Sequence, residues 1–398
     1  MKNNPPVIVI GGGINALGVV RNLGRNGIDV YCVNDKKDEV TYSKYCKKHY
    51  ALSEIDNEEK LMDFLQKFRR QIKCDVVIFP TTDLSVLNVA HLMKELTGYL
   101  QVTSDYTIIE TIVKKRLFYQ SLKERNVSYP HTIFSDLKDF QNIRKEISFP
   151  VFVKPSVSQV FRKIFGKKGF VANSQKELDK ILQQGKDIKI DLIVQEIIPG
   201  TAKNHFFIAG FYDNNSKPVA VFAFRRLRMW PLWYGGSTIC VSVPISEVAN
   251  MKDVIINYLN EIGFRGIFHA EFKRDPRDNI AKLIEINARS WQKNVFPSVC
   301  GVNVILTAYL EAIGINVELI DDYENGVYII EFLLDLMTSL VMITKRQLSF
   351  REWFTPLTRK NEQTVFARDD INPFAIHLFD NITNFISKKN LSRILGKN

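Results

Sequence analysis

Cysteine is scarce in this chain of 398 residues: there are five, at positions 32, 46, 74, 240 and 300, with no CxxC pair and no histidine at zinc-ligand spacing. An odd, scattered set argues against a disulfide framework or a structural zinc site and sets a reducing, cytoplasmic location as the expectation. Long hydrophobic runs are missing too. The nearest to a membrane span, Glu331 to Thr344, is short and interrupted by Glu331 and Asp335, so it reads as a buried helix. Met1-Lys2-Asn3-Asn4-Pro5-Pro6 leads straight into a strand, without a secretory apolar region or cleavage site ahead of it. There is no internal repeat of useful length and no nucleic-acid-binding signature, and the lysines and arginines are dispersed, so no nucleic acid partner is expected.

What is present is ordinary globular material, 45% hydrophobic and 24% charged, in a chain long enough for two or three domains. The formal net charge of +11 calls for an anionic partner: a nucleotide, a carboxylate or phosphorylated substrate, or an anionic lipid surface. Residues 341–398 carry ten Lys/Arg and five Asp/Glu, and Leu378 to Leu395 sets Phe and Ile among lysines. An amphipathic helix on a membrane surface is one reading of that tail. A docked helix with a solvated basic face is the one favoured, and the oligomeric state is left open.

The first segment reads as open α/β. Pro6 to Ile10 is a buried strand, Gly11-Gly12-Gly13 a tight turn, Asn15 to Asn26 a helix closed by Gly27, and Ile28 to Val33 a second strand ending at Asn34-Asp35. This is a βαβ beginning, but Gly11-Gly12-Gly13-x-x-x-x-Gly18 departs from the GxGxxG dinucleotide fingerprint. Cys74 to Pro80 is a third strand, running into Thr81-Thr82-Asp83. From Val102 a helix reaches Arg125, followed by strands at Phe149 to Lys154, Leu192 to Gln195 and Pro218 to Arg226, a mixture that suggests α+β with antiparallel pairing. Beyond Gly314 the chain reads as helical.

The most informative constellation is Glu271, Glu285 and Asn287. Ile267 to Lys273 and Ala281 to Asn287 are strand-like runs around the turn-forming Asp275-Pro276-Arg277-Asp278-Asn279. Folded as a hairpin about residue 278, they set 271 opposite 285 and leave Glu285 and Asn287 on one face. Two carboxylates and an amide suit a hard cation such as Mg²⁺, or Mn²⁺ in its place, shared with nucleotide phosphates. A solvated hairpin face is the plain alternative. Lys115 and Lys154 have the character of a phosphate clamp, Lys154 at the end of a stiff apolar run before Pro155. Ser156 to Gly169, with Lys168 and Gly169, has the composition of a flap over phosphates. Gln195-Glu196-Ile197-Ile198, at the end of a strand, can flank an adenine with apolar side chains and main-chain hydrogen bonds.

In this order, the glycine-rich first turn, Pro80-Thr81-Thr82-Asp83, Lys115, Pro150-Val151-Phe152-Val153-Lys154-Pro155, Gln195 to Gly200, Arg226-Leu227-Arg228, and Glu271 with Glu285-Ile286-Asn287-Ala288-Arg289 resemble the ATP-grasp superfamily. The similarity is to its carbamoyl-phosphate-synthase-like carboxylate–amine ligases. The resemblance implies that Lys115, Lys154, Ser156, Lys168 and Gly169 attend the ATP phosphates and Gln195 to Ile198 form the adenine hinge. It further implies that Glu271, Glu285 and Asn287 hold Mg²⁺ and that Arg289 steadies the transferring phosphoryl group. Three departures stand out: Thr201 to His205 lacks the family's ribose-binding glutamate, Asn-Pro-Arg is here Asn287-Ala288-Arg289, and Arg226 stands where relatives often have lysine.

The resulting expectation is an ADP-forming ligase joining a small-molecule carboxylate to an amine through an acyl phosphate. Arg289 with Arg226 or Arg228 receives the carboxylate, and Trp230, Trp233, Tyr234, Gly235-Gly236-Ser237 and Trp291 wall the acceptor pocket. Amino-acid ligation, dipeptide synthesis and decoration of a cell-wall or polysaccharide precursor are all open. The rivals are an NAD(P)-dependent oxidoreductase built on the first βαβ unit and a non-catalytic nucleotide-binding protein. The expected organisation is an N-terminal α/β domain over 1–105, ATP-grasp lobes over 106–190 and 191–318, and a helical C-terminal extension over 319–398.

Overall fold

Runs of Val, Ile and Phe without polar alternation are the mark of strands buried on both faces, and such strands pair in parallel between layers of helix. The computed structural model describes residues 4–134, 147–155, 169–188, 190–232 and 235–386, with side chains as far as 381. In it β1 (Val7–Ile10), β2 (Val30–Asn34), β3 (Cys46–Ala51), β4 (Val76–Pro80) and β5 (Tyr99–Gln101) form a parallel sheet in the order β3-β2-β1-β4-β5. Helices α1 (Gly13–Gly24), α2 (Glu58–Ile72) and α3 (Asp83–Leu92) connect the strands. Strand order reverses between β1 and β4, where an open sheet presents a crevice at its carboxyl ends. Gly11 to Gly13 and Thr81 to Asp83 sit on either side of that point. Gly11 has φ +112°, and a Cβ there would lie 2.4 Å from Thr81 Oγ1, so only glycine fits.

The Gly13 N–H at the start of α1 donates to Asp38 Oδ2 at 2.6 Å, and a Cβ on Gly12 would lie 2.0 Å from that oxygen. A carboxylate of the chain itself thus occupies the helix terminus where a dinucleotide-binding fold holds pyrophosphate. This disfavours the oxidoreductase reading.

Helices α4 (Tyr106–Val113) and α5 (Lys115–Glu124) follow in place of the single expected helix. The break is at Lys114, whose extended ψ of 106° makes Lys115 the first residue of α5. Next, β6 (Thr132–Phe134), β7 (Val151–Pro155), β8 (Phe170–Ala172) and β9 (Leu192–Glu196) form an antiparallel sheet in the order β6-β9-β7-β8. Helix α6 (Gln175–Asp187) packs Leu178 and Leu182 into its separate core.

A seven-stranded sheet carries the rest: β10 (His205–Tyr212), β11 (Pro218–Trp230), β12 (Gly236–Ser242), β13 (Gly266–Arg274), β14 (Ala281–Asn287), β15 (Tyr328–Ile330) and β16 (Asn361–Gln363), in the order β14-β13-β10-β11-β12-β15-β16. Helices α7 (Ala249–Glu261), α8 (Val295–Cys300) and α9 (Val304–Ala312) accompany it, and α10 (Phe332–Thr344), α11 (Phe350–Thr358) and α12 (Asn372–Ile386) complete the described chain. The expected helical C-terminal extension therefore also contains two strands, β15 pairing with β12 and β16 with β15. Three-residue strands are too short to show a period in the sequence.

The segment before α12 is fastened to the first sheet's layer by buried charge. Asp370 accepts from Arg21 Nε at 2.9 Å, Ser43 Oγ at 2.7 Å and the Lys44 N–H at 2.9 Å, while Arg21 also reaches the Val365 and Asp370 carbonyls. His377, on α12, lies 2.8 Å from Glu39 and 3.7 Å from Glu331. Burial alone would lower the imidazole, but pairing with Glu331 and Glu39 outweighs it and raises His377 to about 9. A folded value above the ordinary 6.5 gives stability that is full below 6.5 and lost as pH rises through about 9. The Tm advantage of wild type over His377→Gln should therefore shrink steadily across that interval in thermal unfolding; a difference independent of pH contradicts the pairing.

Candidate active site

The hairpin β13–β14 closes on a turn whose buried acid, Asp275, accepts from the Arg277 N–H at 3.0 Å and from Lys282 Nζ at 2.9 Å, with Asn279 supplying a positive φ of 60°. The resulting register pairs Glu271 with Glu285 and His269 with Asn287, with an irregularity just after Glu271. Two carboxylates directly opposite each other repel unless cations compensate. Glu271 Oε1 lies 2.7 Å from His205 Nδ1 and 3.2 Å from Arg226 Nη2. Burial alone would raise the Glu271 carboxyl, but Arg226 and His205 outweigh it and hold it well below the usual carboxylate range.

Lys154 enters from the four-stranded sheet. Its buried ammonium donates to Gln195 Oε1 at 2.8 Å and Tyr119 Oη at 3.2 Å. Gln195 Nε2 donates to Tyr119 Oη and Thr132 Oγ1, both at 2.8 Å, and Tyr119 Oη donates to the Ile284 carbonyl at 2.9 Å. This network ties the lysine to the strand that carries Glu285. Burial lowers Lys154 to about 8, opposed by the charges of Glu285 and Glu271. Lys115 stands one helical turn before Tyr119, which puts both on one face of α5.

Arg289 joins the hairpin to the first sheet. Its Nε donates to Asp83 Oδ1 at 2.7 Å, Nη2 to Asn287 Oδ1 at 3.0 Å and Nη1 to the Ser290 carbonyl at 2.9 Å. Asn15 Nδ2 adds bonds to the Thr81 and Ser290 carbonyls at 2.7 and 2.9 Å. The crevice at the β1/β4 reversal and the end of β14 are therefore one locus.

The two arginines of β11 diverge. Arg226 faces the hairpin, its Nε on Ser237 Oγ at 2.7 Å. Arg228 turns away into a buried bidentate pair with Asp335 on α10, at 2.9 and 2.7 Å, with Thr238 Oγ1 donating to the same acid at 2.8 Å. This corrects the expectation that either arginine serves the carboxylate, because an irregularity between Arg226 and Arg228 breaks the alternation of the strand. Trp291 is buried and stacks on His269 with centroids 5.1 Å apart, and His269 also stacks on Phe207. Burial lowers His269 to about 3, so the ring is neutral. Lys293, also buried, donates to the Ser237 carbonyl at 2.7 Å.

Within the hinge segment, the Gln195 side chain points inward to Lys154. Glu196 accepts from the His131 N–H at 3.0 Å and pairs with Arg277 and, at 3.5 Å, with Lys282. The buried Ile198 has its carbonyl on Lys273 Nζ at 2.6 Å, beside the half-buried Ile197. Gly169 lies so close to β7 that a Cβ would meet the Val153 carbonyl at 2.5 Å. Ser156, Lys168, Trp233 and Tyr234 lie outside the described residues. A separate cavity of about 660 Å³, lined by Arg125, Asn250, Asn257 and Arg274 among others, shares none of the site residues.

The donor set fits a hard divalent ion: two opposed carboxylates and an amide oxygen, with room in its coordination for phosphate oxygens. Among the described residues, no group of three His, Cys, Asp or Glu side chains forms a metal cluster by itself. Sequence reasoning missed His205, Tyr119 and the anchoring roles of Asp83 and Asp335. The local signals were the Lys115–Tyr119 spacing and, for Asp83, its place in Pro80-Thr81-Thr82-Asp83 at the end of a strand. Removing Asp335 leaves a buried guanidinium uncompensated, so Asp335→Ala should cost about 3–5 kcal/mol in denaturant unfolding. The apolar double variant Arg228→Met/Asp335→Leu should recover most of it; equal losses would contradict the buried pair.

No family model matches the chain. A D-aspartate ligase from Enterococcus faecium (strain Aus0004) is 27% identical over 210 residues, 50% of this chain and 49% of that protein. The carbamoyl phosphate synthase large chain of Clostridium botulinum (strain Langeland / NCTC 10281 / Type F) is 22% identical over 351 residues, 82% of this chain and 31% of that one. The chain thus spans about half the length, or less, of these curated relatives. Among solved structures, N5-carboxyaminoimidazole synthetase from Staphylococcus aureus complexed with ADP has a TM-score of 0.65 at 18% identity, over 82% of this chain and 81% of that one. L-amino acid ligase from Bacillus licheniformis has a TM-score of 0.61 at 15% identity, over 79% and 75%. The resemblance to ATP-grasp ligases stands, on a D-aspartate ligase and a carbamoyl phosphate synthase in sequence and on two ligase or synthetase structures in fold.

Proposed function

We propose that this chain is an ADP-forming carboxylate–amine ligase. The observation that carries the reading is the opposed pair Glu271 and Glu285, with Asn287 tied through Arg289 to Asp83 at the crevice of the parallel sheet. A carboxylate is a poor electrophile and must be activated. An oxygen of the substrate carboxylate attacks the γ-phosphorus of ATP, the bond to the bridging oxygen breaks, and ADP departs. The amine nitrogen then attacks the acyl carbon, phosphate leaves, and the nitrogen gives up a proton as the amide forms.

Each residue has a physical task in that sequence. Lys154, aimed by Gln195 and Tyr119, meets phosphate oxygens, and Lys115 adds a second positive charge from the start of α5. Arg289 and Arg226 receive the carboxylate and the charge that grows on the transferring group, while Arg228 is committed to Asp335. The segment from Gln195 to Ile198 flanks adenine, with Ile197 and Ile198 as its apolar walls. Glu271, Glu285 and Asn287 would hold Mg²⁺, which neutralises phosphate charge when bound.

In this reading residues 1–105 form the domain that contributes the crevice, 106–190 and 191–318 the two lobes around the nucleotide, and 319–398 a C-terminal segment that supports the acceptor side. Likeness to a D-aspartate ligase favours an amino acid as one substrate.

Incubation with ATP and Mg²⁺ across a pool of amino acids and carboxylates should give acceptor-dependent ADP release. Turnover of NAD without ADP would instead support an oxidoreductase. Glu285→Ala should reduce ADP release by about a hundredfold or more with an unchanged circular-dichroism spectrum. A normal rate in that variant would remove Glu285 from the assignment.

A further inference from the structure

Helix α10 is inside out. Its buried side chains are Asp335, Thr338 and Ser339, and Arg228 and Thr238 hold Asp335. Its outward face carries Phe332 and Leu340, 42% and 56% exposed, with Leu336 and Ile343 half-buried. Spacings of three and four residues put these four on one stripe. A soluble helix normally shows the reverse arrangement. The sequence expectation of a buried helix over Glu331 to Thr344 is therefore corrected: the charged residue is what lies inside, because Asp335 answers Arg228.

Helix α11 follows α10 after a short connection and continues the pattern. Phe350 and Phe354, 64% and 47% exposed, stack on each other at 6.0 Å, and Trp353 lies 5.4 Å from Phe350. Along this stretch of chain the charge is nearly of one sign, with Lys360 paired to Glu324. Residues 341–360 contain Lys345, Arg346, Arg351, Arg359 and Lys360 against a single acid, Glu352, which is used in capping Ser349. Among the described residues, no helix is long and apolar enough to cross a membrane.

We infer that the outward faces of α10 and α11 dock on an anionic lipid bilayer. Exposed Phe and Leu with a half-buried Trp beside Lys and Arg are the composition of a surface that enters the headgroup boundary without spanning it. Phosphate headgroups complement the basic rim. A second copy of this chain is the weaker occupant, since a twofold contact through this face would set the same basic rim against itself. Docking here would hold β11, which carries both Arg226 and Arg228, next to the lipid surface.

The test uses the full chain with vesicles of equal parts phosphatidylglycerol and phosphatidylcholine, and with pure phosphatidylcholine, in a flotation assay. Binding should be selective for the anionic vesicles, weaken with added salt, and shift Trp353 fluorescence to the blue relative to Trp353→Phe. The double variant Phe350→Ser/Phe354→Ser should bind about tenfold more weakly, as should Lys345→Glu/Arg346→Glu, each with unchanged thermal unfolding. Absence of anionic-vesicle binding at low salt, or binding by both double variants equal to that of wild type, overturns the proposal. So does a wild-type dimer in sedimentation that Phe350→Ser/Phe354→Ser converts to monomer, because a second copy would then cover the face.

Discussion

Two carboxylates opposite each other on neighbouring strands are electrostatically unfavourable, and much of this molecule is arranged to make Glu271 against Glu285 tolerable. Arg226 reaches across from β11 and His205 from the start of β10, while Lys154 approaches from another sheet. The two cations among them are fixed by neutral partners: Ser237 for Arg226, and Gln195 with Tyr119 for Lys154. The outcome is a polarised spot with both signs of charge at close range. A phosphate chain with a divalent ion is the kind of ligand such a spot accommodates.

The same economy of charge links distant parts of the chain. Arg289 couples the hairpin to Asp83, so the parallel sheet contributes to the site through its carboxyl edge. Asp38 fills the start of α1, which leaves that sheet a partner in the crevice rather than a dinucleotide holder. Two residues from Arg226, Arg228 draws Asp335 inward and thereby turns the apolar side of α10 out. One β-strand thus serves the site with one arginine and exposes a hydrophobic surface with the other.

Much of the site was legible because it is local. The turn chemistry of Asp275 to Asn279 and the two-residue period of its flanking runs set the 271–285 register before any fold was known. The parallel sheet was legible for a related reason: unbroken apolar runs ending in Gly11 to Gly13 and Thr81 to Asp83. Periodicity failed where the backbone departs from regularity. The irregularity in β11 separated Arg226 from Arg228, and the extended Lys114 split one expected helix into two. The apolar run from Phe332 to Thr344 showed a helix but not its orientation, because hydrophobicity says which side is greasy and not which side is buried.

What the sequence by itself determined is most of the longer elements and the register of one hairpin, with Glu271 opposite Glu285, since strand alternation and turn propensity act over a few residues. Tertiary structure alone decided the partners: His205 for Glu271, Gln195 for Lys154, Asp83 for Arg289, Asp335 for Arg228. Three of these pairs join residues at least 66 positions apart, and the fourth 41. Groups that far apart in sequence meet only when sheets are stacked, and where both partners are buried, as in Arg228 with Asp335, burial makes the pairing obligatory.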